Sequence, residues 1–221
     1  MDRPTYYTLV KEYWAYYISL EKQFVETKRY VEFDYINNKR SYSIEYLKLF
    51  QAVCSEIDVV GKVLASSVDQ SFNPTKTTGI NEWWFYITQE YTDLCERECL
   101  LLEEYTIKPW NNYYVVENPN STGKKYILDN TDYHKGKTPS WWNDYNSVKH
   151  NRTGKFDKHS TNYAKANLKN LFHSFAALYS LEVMLIKLVF SDNDLPLDPE
   201  MTSKLFTEDL PFYPHLLYSK G

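Results

Sequence analysis

A chain of 221 residues is long enough for one domain of ordinary size with a substantial buried core. Its 25 Lys and Arg against 29 Asp and Glu leave a net charge of −4. That balance excludes a bulk attraction to nucleic acid or to an anionic membrane surface, so any anion must be met by a local patch. The three cysteines, Cys54, Cys95 and Cys99, form neither a CxxC pair nor an even set, which suits reduced thiols in the cytoplasm better than a disulfide framework.

The start, MDRPTYYTLVKEYW, is charged and rich in rings, unlike a secretory signal. No stretch is expected to approach the roughly 20 apolar residues of a membrane span, so no membrane partner is expected. Glycine is scarce, at 6, and long stretches lack both glycine and proline, which favours helices.

The first helix is expected from about Tyr6 to Thr27, where Leu9, Tyr13, Tyr16, Tyr17, Leu20 and Phe24 recur at helical spacing. After a turn-rich break, a second helix runs from Ser43 to about Val68 on the stripe Tyr46, Leu47, Phe50, Val53, Cys54, Ile57, Val60 and Leu64. Glu56 and Asp58 on it are two apart and do not face each other, whereas Asp58 and Lys62 have the spacing of an ion pair. Asn81 is placed to cap a third helix extending to about Tyr105. Cys95 and Cys99 would share a face of that helix. A metal there would lack a second ligand pair, so buried apolar thiols are the stronger reading and no metal or cofactor is expected.

Between 106 and 139, NYYVVE and KKYIL are rich in β-formers and flank the turn-prone NPNSTG, which predicts a β-hairpin projecting from the helical body. Thr138 and Pro139 then begin a short helix, Ser140 to about His150. The last helix is expected from near Ser160 to about Phe190; Ser180, Glu182 and Lys187 interrupt its apolar run, so it reads as a core helix. The tail beyond 191, with Pro196, Pro199 and Pro211, is expected to lie irregularly on the surface.

The densest chemistry is SWWNDYNSVKHNR, residues 140 to 152. On a helix Asn146 and His150 lie one turn apart on the same face. A histidine moves protons near neutral pH, and a proton acceptor beside a ribose 2′-hydroxyl is the core of metal-independent RNA cleavage. Lys149 and Arg152 supply cations, and arginine's planar fork matches a phosphate. The alternative is structural: Trp141, Trp142, Tyr145 and Val148 in the core, with His150 closing the helix C-terminus.

Together, LEKQFVETKRYVEFD, YSIEYLKLFQAVCSEIDVVGK and above all WWNDYNSVKHNR, followed by a long apolar helix, resemble the bacterial HEPN superfamily. The resemblance implies an all-α bundle of four to five helices, here with a hairpin insertion, spanning 1–221 as a single domain. It implies a metal-independent endoribonuclease of the toxin–antitoxin, abortive-infection or antiphage-defence type, working at a cleft between two protomers. Asn146 and His150 fall on the family's polar and histidine positions, and Tyr145 stands where the family carries arginine. Arg152 and Lys149 are candidates to replace that charge, with Tyr145 beside them at the phosphate. Expected partners are RNA, a second copy, and an antitoxin or regulatory protein. The second reading is an inactive HEPN-like module that binds RNA, a nucleotide or a protein.

Overall fold

The computed structural model describes residues 3–120, 125–131, 133–191 and 202–207. The described residues form five α-helices: α1 (Arg3–Glu26), α2 (Ile44–Val68), α3 (Ile80–Glu90), α4 (Ser140–His150) and α5 (Leu168–Ser191). They are accompanied by two small antiparallel sheets, so the fold is mostly helical without being purely so. Ser43 caps α2 as its position predicts, its hydroxyl accepting from the Tyr46 amide at 3.1 Å. Helix α5 is the axis of the core and packs against α1, α2 and α4. On this axis Phe24 stacks on Phe175 at 4.9 Å. The pair is expected at this spacing because offset rings bury large area with favourable quadrupoles.

By length and composition, Leu168–Leu188 could span a bilayer, contrary to the expectation that no stretch comes close, but 83% of its most apolar window is buried inside the protein. Close approach of α2 and α3 rests on Gly61, where a Cβ would sit 2.8 Å from the Trp83 ring. The Asp58–Lys62 pair forms at 2.5 Å, and Asp58 also accepts from the Trp83 indole at 3.1 Å.

The predicted hairpin is present as β3 (Val115–Glu117) and β4 (Tyr126–Leu128), in register Val115 with Leu128. It does not project. Tyr113 and Tyr126 are buried, and the Tyr113 carbonyl accepts from the Trp84 indole at 2.7 Å, which docks the hairpin on α3.

Helix α5 begins at Leu168 rather than near Ser160, because Asn162–Lys165 forms a separate 3-10 turn. Three further expectations are corrected. Helix α3 stops at Glu90 rather than continuing to Tyr105, because 99–107 forms a second hairpin, β1 (Cys99–Leu101) and β2 (Tyr105–Ile107). Its turn is built on left-handed backbone at Leu102 (φ 52°) and Glu103 (φ 60°), a conformation that favours Gly or Asn and so carries no sequence signal here. The tail is not irregular between 206 and 207: β5 (Phe206–Thr207) pairs with β1 and carries the buried Phe206. Residues 202–205 are irregular as expected, and 192–201 and 208–221 lie outside the described residues. Asn81 caps no helix, since Gly79 is the N-cap of α3; its side chain instead accepts from the Tyr113 hydroxyl at 2.5 Å.

Candidate functional site

Helix α4 sorts its residues by face. Trp141, Trp142, Tyr145 and Val148 are buried, with the Trp141 indole donating to the Pro109 carbonyl at 2.9 Å. A second face is tied to the following segment: Lys165 pairs with Asp144 at 3.1 Å and bonds the Ser147 hydroxyl at 3.1 Å. What remains is a polar ridge, Asn143, Asn146 and His150, at spacings of three and four residues.

Asn146 and Asn143 line a cleft of about 530 Å³ whose other wall is the N-terminus of α3, with Lys125 of the first hairpin at its edge. His150 lies one turn beyond Asn146, exposed, and its side chain makes no hydrogen bond or ion pair to another described residue. It therefore does not close the helix end through a side-chain bond. Lys149 lies over the Tyr145 ring at 5.5 Å from the centroid. Tyr145 itself is 6% exposed, edge-on to Phe50, and its phenol is pushed up to about 12 by burial first and then by Cys54 and Asp58. Its ring is committed to packing, and that hydroxyl stays protonated at neutral pH.

The loop after α4 is pinned. The Arg152 carbonyl accepts from the Tyr163 amide at 3.0 Å, and the Asn151 carbonyl accepts from Asn162 at 2.8 Å. The Gly154 amide closes the turn by donating to the Asn151 carbonyl at 3.0 Å. Backbone position is thus set while the side chains of Arg152, Lys155, Lys158 and His159 are exposed. From Lys149 to His159 the segment holds four permanent or near-permanent cations against one carboxylate, Asp157. One carboxyl oxygen of Asp157 accepts from both the His159 and Ser160 amides, each at 2.7 Å.

The structure thus brings Asn146, Lys149, His150 and Arg152 onto one helix end and its loop, and places Tyr145 inside. Lys155, Lys158, Lys125 and the α3 N-terminus were not singled out from sequence. The first two carried a readable signal, a run of cations in an acidic chain; the others become neighbours only through tertiary contact. Cys54, Cys95 and Cys99 are buried free thiols, and Cys95 and Cys99 sit in a 3-10 turn and a strand rather than on one helix face. Burial pushes the Cys95 thiol up to about 12 and the Cys54 thiol well above its ordinary value, so neither is a nucleophile near neutral pH. Among the described residues no group of three or more His, Cys, Asp or Glu is placed to hold a metal ion. No family model, no curated protein and no solved structure matches the chain.

Proposed function

We propose that the exposed end of α4 and the loop after it form the RNA-contacting surface of a HEPN-like, metal-independent endoribonuclease of the bacterial defence or toxin type. The observation that carries this reading is the cationic segment Lys149–His159, tied by backbone hydrogen bonds and continuous with the Asn146–His150 ridge, in a chain whose net charge is −4. Phosphates engage Arg152 and Lys149 with Lys155 and Lys158, as fixed positive charge releases counterions from the nucleic-acid backbone. His150 takes the 2′-hydroxyl proton, and Asn146 holds the ribose or the scissile phosphate from the cleft side. A single protomer supplies one such histidine on α4, so the site is completed by a second copy meeting the same face across a two-fold axis.

The test is cleavage of a single-stranded RNA by the purified chain in EDTA. His150→Ala should lower the rate by about 10²-fold or more while the protein stays folded, within the range of general acid–base catalysis. Arg152→Ala should weaken binding and reduce the slope of log affinity against log salt by about 1. A monomer at working concentration, or wild-type cleavage by His150→Ala, overturns it.

One observation favours a second reading, a non-catalytic RNA-binding module: the residue at the family's arginine position, Tyr145, is in the core and contributes no charge. That module binds RNA with the same salt dependence and never cuts it.

A further inference from the structure

Positive charge is concentrated in two stretches of this chain. Residues 37–43 and 150–169 together carry seven Lys and Arg against one acidic residue, Asp157, although the net charge of the whole is −4. The fold joins the two stretches through their backbones. The Leu168 amide donates to the Ser41 carbonyl at 2.9 Å and the Lys169 amide to the Lys39 carbonyl at 3.0 Å, and Tyr42 forms an antiparallel bridge with Asn167. Lys39 and Arg40 are thereby brought to the segment that follows α4. Both are exposed, as are Arg152, Lys155 and Lys158, and among the described residues none of the five pairs with a carboxylate. The flanking carboxylates Glu45 and Asp144 are already paired, with Lys48 at 2.8 Å and Lys165 at 3.1 Å.

Two large rings stand among these cations with much of their surface open, Tyr42 at 53% and Phe156 at 48%. Both rest on the 3-10 turn Asn162–Lys165. Tyr163 meets Tyr42 near a right angle with centroids 5.4 Å apart, and the Lys165 ammonium lies over the Phe156 ring at 5.2 Å from its centroid. The backbone beneath Phe156 is tied as well, its amide donating to the Ser160 carbonyl at 3.2 Å while Lys155 bridges Thr161. Each ring is held on one side and open elsewhere, so a group that stacks on it has little side-chain motion to quench.

Cations that follow a backbone, interleaved with exposed rings, are the anatomy of a single-strand binding surface: phosphates meet the charge and unpaired bases stack on the rings. A duplex keeps its base faces inside its own stack and uses only the charge. An acidic polypeptide would likewise leave the rings without a flat partner.

We propose that the loop before α2 and the segment 150–169 form a platform for single-stranded RNA, with bases stacked on Tyr42 and Phe156 and phosphates against Arg40 and Lys155. The platform rests on the RNA reading of α4 and adds to it the strandedness of the substrate and a second stretch of chain.

The probe is a short fluorescent oligouridylate with 2′-O-methyl riboses, which blocks attack by the 2′-oxygen, titrated into the full chain and followed by anisotropy. Tyr42→Ala and Phe156→Ala should each weaken binding about tenfold, the worth of one stacked base, whereas Tyr42→Phe and Phe156→Tyr, which keep a ring, should bind like wild type. Arg40→Ala should reduce the slope of log affinity against log salt by about 1. Melting curves report whether each variant keeps its fold, and Arg40→Ala, at an exposed position, tests the platform even where a ring variant does not fold. Wild-type affinity in both ring-to-alanine variants and in Arg40→Ala, with Arg152→Ala still weakened, would overturn the platform and leave the α4 reading standing. No binding by the wild type would overturn both. Equal affinity for a duplex of the same length, or equally tight and ring-dependent binding of an oligoglutamate, would overturn the platform as well.

Discussion

Among the described residues two glutamates are buried, and they live in opposite surroundings. Glu21 of α1 accepts from the Tyr17 hydroxyl at 2.9 Å, from the Ser203 hydroxyl, and from the Lys204 and Leu205 amides at 3.0 and 3.2 Å. Glu182 of α5 is 0% exposed and neither carboxyl oxygen has a partner. Burial, with the nearby Glu56 adding to it, pushes the Glu182 carboxyl well above the usual range, so it is neutral in the fold. Glu21 fastens a strand to a helix some 180 residues away in sequence. Glu182 fastens nothing. The difference teaches that burial alone says little about what a charged residue contributes; the donors around it decide.

Breaking the first arrangement should have the largest effect. Glu21→Ala removes the acceptor that gathers the Tyr17 and Ser203 hydroxyls and the Lys204 and Leu205 amides, and should cost on the order of 3 kcal/mol. Hydrogen exchange at Leu102, whose amide donates to the Leu205 carbonyl at 2.8 Å, should accelerate because β5 is released. If exchange at Leu102 is unchanged, the Glu21 cluster does not hold the strand.

The reverse is expected at Glu182, where Glu182→Gln should raise stability at pH 7. The sign follows from the raised pKa: above about 4.5 the unfolded chain loses this proton while the folded chain keeps it, so stability falls as pH rises. Urea melts from pH 5 to 9 should show that slope in the wild type and a flatter profile in Glu182→Gln. An identical slope in both would mean that the carboxyl is not desolvated.

A smaller effect of opposite sense comes from His173, whose ring nitrogen shares a 2.7 Å hydrogen bond with the Tyr35 hydroxyl. Burial, and then Lys169, lower it from 6.5 to about 4. Here the unfolded chain binds the proton first, so stability is complete above about pH 6.5 and is lost as pH falls toward 4. His173→Phe should remove that acid limb, and its persistence would assign the limb elsewhere. The smallest effect belongs to the surface: His150→Ala should change stability by less than about 0.5 kcal/mol, because the exposed ring has no side-chain bond to lose. A larger loss would return His150 to a structural role.

Much of this was legible in the residues themselves. The stripe on α2, the Ser43 cap, the Asp58–Lys62 pair, the bounds of α4 and the hairpin β3–β4 rest on contacts within a few turns or one short loop. Periodicity and turn composition report such contacts directly. At the candidate site, the same local spacing put Asn146 and His150 on one face of α4.

The remainder depended on contacts that a local window cannot contain. The segment 99–107 is a hairpin rather than the end of α3 because β5, about a hundred residues later, pairs with β1, and its turn uses Leu102 and Glu103 where no turn residue advertises it. Glu21 and Glu182 are indistinguishable as letters, yet only the fold places four donors around one and none around the other. By itself the sequence determined α1, α2 and α4, the unpaired cysteines and the polar ridge of α4. Only tertiary structure decided which rings were core, which buried carboxylate gained donors, and which loop was pinned with its cations outward, because burial and partnership are properties of neighbours that the chain brings together from afar.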